Sequence, residues 1–230
     1  GLAGDGGRFE KTLIVAGDAP LADSIAAIGL YGDAIKVGFG SLGGWDPFGP
    51  QRTITRSAGN VLYELDGRSA LDLYRSYLGE HAAGLPATAL LFPLQIRRQG
   101  EVDTLVRSIL NVDEETGSMT FAGDVPVGAT VQLMKTNYDN IVEAASSAAR
   151  ACRESLPDCR ADLAVLISCV GRKLVLKQRI EEEVEAVERV LGTSTLITGF
   201  YSYGEICPAT THSSLELHNQ TMTITTLSEQ

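Results

Sequence analysis

The sequence predicts an α+β fold: mixed β-sheets with antiparallel hairpins, two or three packed helices, and a βαβ crossover near the C-terminus. Three observations lead there. Short apolar runs, several of them alternating and closed by Gly-Asp, Asp-Gly or similar turn pairs, fill the chain before residue 136. Two longer stretches in the last hundred residues instead carry apolar residues at helical spacing. Between them, 161–169 is dominated by apolar residues, the pattern of a strand covered on both faces.

The elements follow in order. Residues 11–16 read as a strand, and 29–31 with 35–39 as a hairpin broken at Gly32-Asp33. The stretch 43–50 holds Gly43, Gly44, Gly49, Pro47 and Pro50 and reads as an irregular loop. Residues 52–55 and 60–65 alternate as a half-buried antiparallel pair ending at Asp66-Gly67. Ser69 then caps a helix that runs to about Leu78 and stops at Gly79. Residues 90–97 are a strand, 105–112 and 118–121 a hairpin, and 130–135 a further strand. The helix over 140–156 places Ile141, Val142, Ala145, Ala149 and Cys152 on one face. The helix over 177–191 places Ile180, Val184, Val187 and Leu191 on one stripe with acids opposite. Strand 195–202 and a hairpin over 214–226 close the chain.

Composition removes several classes of function. Of 230 residues, 44% are hydrophobic and 21% charged, ordinary usage for a globular core rather than a disordered chain. Lys and Arg number 19 against 29 acids, a net charge of -10 that repels a phosphate backbone, and aromatics at 6% offer little for base stacking. Nucleic acid is therefore not an expected partner. No apolar run approaches the roughly 20 residues that span a bilayer, so membrane insertion is not expected either. Cys152, Cys159, Cys169 and Cys207 form no Cys-x-x-Cys pair and read as reduced, mostly buried thiols of a cytoplasmic protein. The opening Gly1-Leu2-Ala3-Gly4-Asp5-Gly6 reads as the start of a fragment from inside a larger protein.

Three clusters carry candidate chemistry. Ser168-Cys169-Val170-Gly171-Arg172 lies at the carboxyl end of the buried strand, where such sheets bind ligands. Arg172 offers a planar fork suited to a carboxylate, and the plainer reading pairs it with a nearby acid. Cys169 reads more simply as a small core residue than as a nucleophile. In 199–208, glycines bracket Tyr201 and Tyr203, and Glu205 follows as a group able to hold an amine. In 217–221, His218 and Asn219 belong to a run of hydrogen-bonding side chains, which could equally be a solvated turn. Together these residues predict a zwitterion site: Arg172 for the carboxylate, Glu205 for the ammonium, and Tyr201 or Tyr203 as a wall. The 177–191 helix allows it, because a right-handed crossover would bring the strands before residues 172 and 205 side by side.

The motifs Cys169-x-Gly171-Arg172, Gly-Phe-Tyr-Ser-Tyr-Gly-Glu-Ile-Cys-Pro at 199–208 and Leu-His-Asn-Gln-Thr-Met at 217–222 resemble the FIST family. Gly4-Asp5-Gly6, Gly44-Trp45-x-Pro47-x-Gly49-Pro50, Leu65-Asp66-Gly67 and Phe92-Pro93-Leu94 extend the resemblance along almost the whole chain. It implies a truncated N-terminal FIST region over 1–56 and a FIST C-terminal domain over 57–230. It also implies ligand sensing in a bacterial signalling protein rather than catalysis. The ligand would be an amino acid or similar small polar metabolite. The signal would pass to a histidine kinase, a chemotaxis receptor or a cyclic-di-nucleotide enzyme. No cofactor is implied in general, although one branch binds haem and reports nitric oxide. Here an axial ligand would have to come from His81, His212, His218 or a cysteine. A cysteine-dependent enzyme, with Cys169 or Cys207 as nucleophile and His218 as base, is the remaining alternative.

Overall fold

The computed structural model describes residues 1–156, 160–208 and 214–229. Along the chain it places β1 (Ile14–Ala16), β2 (Ala19–Leu21), β3 (Ile35–Leu42), β4 (Asp46–Ala58), β5 (Val61–Leu65), β6 (Arg68–Ser69) and α1 (Ala70–Leu78). Two 3-10 turns, Gly79–Gly84 and Ala87–Leu91, lead to β7 (Leu94–Arg97), β8 (Leu105–Arg107), β9 (Ile109–Asp113), β10 (Ser118–Phe121) and β11 (Thr130–Lys135). Then come α2 (Tyr138–Ser155), β12 (Leu163–Cys169), α3 (Val170–Leu176), α4 (Ile180–Leu191) and β13 (Leu196–Ser202). Strands β14 (Glu205–Pro208), β15 (Leu215–His218) and β16 (Met222–Glu229) finish the chain. This is the expected α+β class. The elements fall into two compact units, one of Gly1–Gly44, Tyr138–Cys207 and Thr221–Gln230, the other of Trp45–Asn137 and Pro208–Gln220.

The first unit is built on a four-stranded sheet in the order β13-β12-β16-β3. Strands β12 and β13 are parallel, in register from Leu163↔Leu196 to Cys169↔Ser202, so their carboxyl ends lie side by side. The crossover between them is α3 and α4, as expected for a βαβ unit. The core gathers Ala145, Ala148 and Ala149 of α2 with Ala164 and Leu166 of β12, Val187 and Leu191 of α4, and Met222 and Ile224 of β16. The alanine face of α2 lets the helix sit close to the sheet, and Gly40 of β3 completes the fit. A Cβ there would lie 2.1 Å from the carbonyl oxygen of Ala148. Leu163, Val165 and Ile167, on the alternate positions of β12, are only half-buried.

The second unit contains a strand path β8-β7-β11-β4-β5-β10-β9. Its core includes Ile54, Leu62, Leu71, Tyr74, Leu94, Ile96, Met119 and Phe121. Ser69 caps α1 by accepting from the Asp72 amide, and Gly79 ends it at φ 57°, both as the sequence indicates.

The structure departs from the sequence reading at several points. The stretch read as a loop over 43–50 is mostly strand. Asp46, Pro47 and Phe48 pair with β11 alone, while β5 pairs only from Ile54 onward. A proline there removes no donor from a second ladder, which is why the strand tolerates it. Residues 29–31 form no strand, and β3 pairs instead with the last strand, β16. The hairpin read over 214–226 does not form either, since β16 lies between β12 and β3. The short helix α3 has no counterpart in the sequence reading, and the hairpin arm over 105–112 is interrupted at Ser108.

Candidate functional site

The parallel register of β12 and β13 decides what can meet at their carboxyl ends. Ser168 and Tyr201 are opposite one another in that register, and both side chains point toward the helical layer. Arg172 follows on α3 and Glu183 comes from the first turn of α4. The side chains of Arg172 and Glu183 are both fully buried. Nε and Nη2 of Arg172 donate to Oε2 of Glu183 at 3.1 and 3.0 Å. Nη1 donates to the carbonyl of Gly43 at 2.6 Å, and Nη2 to that of Ile141 at 2.8 Å. The other carboxylate oxygen of Glu183 accepts from Ser168 Oγ at 3.2 Å and Tyr201 OH at 2.9 Å. Every polar atom of the pair thus has a partner, the condition under which a buried ion pair is tolerated. Burial, then the charge of Glu183, holds the Tyr201 phenol protonated well above its ordinary range.

A cavity of about 270 Å³ opens over this network. Ser168, Glu183 and Tyr201 are its polar lining, while Val184, Ile197 and Phe200 are among its apolar lining. Gly199 is part of the wall, and the strand pairing requires it: a Cβ there would lie 1.8 Å from the Leu166 carbonyl oxygen. Half-buried Lys173 places its Nζ 4.9 Å from the centroid of the Tyr201 ring.

Glu205 is also fully buried, just past the end of β13. Its carboxyl group accepts from Ser202 Oγ, and from the Thr221 amide at 3.3 Å and Thr221 Oγ1 at 2.9 Å. Burial pushes it up to about 7, against the lowering effect of these bonds and of the Arg172 charge.

The sequence-predicted residues separate accordingly. Arg172 and Tyr201 are brought together, and Glu205 is near enough for Arg172 to act on its charge. The guanidinium, however, meets a carboxylate of the chain itself, so the expectation of a vacant fork for a ligand gives way to the pairing with an acid. Cys169 is a buried thiol whose amide donates to the Thr221 carbonyl. Tyr203 turns elsewhere: its OH bonds Asp5 and the Gly6 carbonyl, and its ring stacks on Phe9 at 4.7 Å. His218 and Asn219 belong to the second unit, where Asn219 Oδ1 accepts from the Ser108 amide and Asn219 Nδ2 donates to the His218 carbonyl. His81 is exposed beside Phe92, and Cys159 and His212 lie outside the described residues. Glu183 is the functional candidate that sequence reasoning missed, while Ser168, part of the first candidate cluster, gains its role only as a donor to Glu183. The amphipathic pattern puts Glu183 on the acidic solvent face of its helix, yet it is buried while Val184 is 40% exposed. A signal exists in the chain: Glu183 lies at helical spacing from buried Ala186 and Val187, and an arginine stands eleven residues before it.

Against known proteins, the family model described as the FIST N domain matches residues 1–68, and that of the FIST C domain matches 70–208. The chain belongs to the FIST family. FIST domains are sensory modules of signalling proteins, which points away from catalysis. Uncharacterised proteins of Mycobacterium tuberculosis (strain H37Rv) and Mycobacterium bovis are 28% and 27% identical to this FIST chain over 185 and 179 residues. In both cases the match covers 75% of this chain and 46% of the relative, so the chain spans about half the length of those relatives. No solved structure matches it significantly. Among the described residues, no helix is long and apolar enough to cross a membrane, and no group of three or more potential ligating side chains could hold a metal ion.

Proposed function

We propose that this FIST chain senses a small metabolite that enters the cavity beside α4 and β13, and that it reports occupancy to a signalling output such as a histidine kinase, a chemotaxis receptor or a cyclic-di-nucleotide enzyme. The observation that carries the reading is the cavity itself: about 270 Å³ of mainly apolar lining placed directly on the buried network of Ser168, Glu183 and Tyr201. A ligand there would contact groups whose positions depend on β12, β13 and α4 together, which is what a sensor needs. The chemistry favours a compound with an apolar body, and an amino acid with an apolar side chain fits this description. Because Arg172 is occupied by Glu183, the ligand carboxylate would be met by Lys173, poised over the Tyr201 ring. The ligand amine would face the side of the cavity where Glu183 and Tyr201 lie.

A thermal-shift screen of the twenty amino acids, with the corresponding decarboxylated amines as controls, tests this. An amino acid at 100 times its dissociation constant should stabilise the chain by about 2.7 kcal/mol, and Lys173→Ala should abolish the gain. Val184→Trp, a change at a partly exposed position that fills the cavity, should remove the response while leaving the fold intact. Equal stabilisation by the amines would refute the carboxylate contact, and an unaltered response in Val184→Trp would refute the cavity.

A further inference from the structure

Charge counting around the carboxyl ends of β12 and β13 leaves one group unexplained. Two fully buried carboxyl groups, Glu183 and Glu205, share the neighbourhood of one buried guanidinium, that of Arg172. Arg172 spends Nε and Nη2 on Glu183 and its remaining donors on backbone carbonyls. Glu205 is left with a hydroxyl of β13, Ser202, and the amide and hydroxyl of Thr221. None of these donors carries a charge. A carboxylate buried with neutral donors alone has no cation to offset its desolvation, so burial favours the protonated form against the pull of those donors.

The elements packed around Glu205 support that count. From α3 the charge that reaches it is Arg172, already neutralised by Glu183 of α4. On the β16 side the contacts are the amide and hydroxyl of Thr221, and from the end of β12 the Cys169 amide donates to the Thr221 carbonyl. Thr221 is thus gripped on one side by Glu205 and on the other by the residue that opens into α3. Its predecessor, Gln220, is at φ 64°, a left-handed conformation unusual for a side chain other than glycine. The turn entering β16 is therefore held in place by this clasp.

We propose that Glu205 is a proton-sensing group: its buried site beside Ser202 and Thr221, at the carboxyl ends of β12 and β13, holds the neutral acid without penalty, and ionisation places a charge there that no cation among the described residues contacts and that destabilises the fold. The ligand of this site is the proton, and the inference is independent of what occupies the cavity. A native state that holds this proton more tightly than the unfolded chain loses stability as pH rises, and gains it as pH falls toward the ordinary carboxyl range.

The test is thermal and chemical denaturation of the chain between pH 5 and pH 8. The wild type should weaken from pH 5 to about pH 7 and level off toward pH 8, with the unfolding constant rising by up to about tenfold per pH unit where the proton difference is complete. Glu205→Gln, which keeps the shape of the protonated acid, should lose most of that slope and become the more stable protein at pH 8. Glu183→Gln should be the weaker protein at low pH and show a shallower slope than the wild type, because an unneutralised Arg172 favours the ionised form of Glu205. Infrared spectroscopy supplies a second readout. A protonated carboxyl stretch should be present at pH 6, fade toward pH 8, and be missing from Glu205→Gln. A wild-type slope in Glu205→Gln overturns the proposal. If that variant fails to fold, the absence of a titrating carboxyl band from the wild type overturns it instead, and its presence upholds it.

Discussion

Glu183 and Glu205 are two carboxyl groups of the same side-chain type, both fully buried at the same end of one parallel strand pair, and the fold holds them in opposite ways. Glu183 receives two donors from a guanidinium and two from hydroxyls, so its negative charge is matched within the cluster. Glu205 receives a similar number of hydrogen bonds, but none from a cation, and burial pushes its carboxyl up to about 7. Counting hydrogen bonds would rank the two sites alike. The difference lies in where the compensating charge went, because desolvation penalises a carboxylate far more than a hydroxyl can repay.

The largest expected effect comes from breaking the matched side. Arg172→Met should cost about 3–5 kcal/mol by denaturant unfolding, because Glu183 is left buried without its cation. Joint replacement, Arg172→Met with Glu183→Leu, should recover most of that loss. If the double variant is no better than the single one, the guanidinium's backbone contacts to Gly43 and Ile141 carry the stability rather than the charge pair.

On the unmatched side, the pH profile of the unaltered protein is the measure. The ordinary glutamate value here is 4.5 and the folded value about 7. The folded-state value is the raised one, so Glu205 contributes least penalty below the ordinary value and the most above the folded one. Stability should fall by roughly 3 kcal/mol as pH rises through that window, since each pH unit between the two values is worth about 1.4 kcal/mol. A profile that instead rises with pH through the same window would place an ionised, stabilised carboxylate at residue 205.

A smaller change sharpens the contrast in hydrogen bonding. Tyr201→Phe removes one of two hydroxyl donors to Oε1 of Glu183 and should cost roughly 1.5–2 kcal/mol in equilibrium unfolding, since the acceptor is charged. The smallest effect is expected from Ser202→Ala at pH 6. There the partner carboxyl is largely protonated, and loss of a neutral bond should cost about 1 kcal/mol or less. A larger cost for Ser202→Ala than for Tyr201→Phe at that pH would reverse the assignment of which carboxyl carries charge.

How much of this is legible from the chain depends on the range of the interaction. The cap at Ser69 and the stop at Gly79 are settled by neighbours within one helical turn, and both are readable. The pairing of 130–135 in a sheet is readable from alternation, but not its partner, because β4 presents Pro47 and Pro50 on a stretch with only one neighbour. The helix over 177–191 is readable, but its buried face is not. An amphipathic stripe assigns acids to solvent, and that rule fails where a buried arginine from another helix repays the desolvation of Glu183. Tyr203 escapes the sequence reading for a similar reason. Its partner, Asp5, stands almost two hundred residues away in sequence, and no local pattern announces that bond.

The sequence by itself determined the elements of the crossover: an apolar strand, a helical stretch and a second glycine-punctuated strand, an order that allows the two strands to pair in parallel with residues 172 and 205 at one end, as they do. It also supplied the glycine at 199, and the fold shows why one is needed there: the strands approach too closely for a Cβ. Only the tertiary structure decided which acid Arg172 would take. Local propensity acts over a few residues, whereas a buried charge chooses its partner by distance and dielectric. Those are set only when α2, α3, α4 and β13 have all come to rest around the same guanidinium.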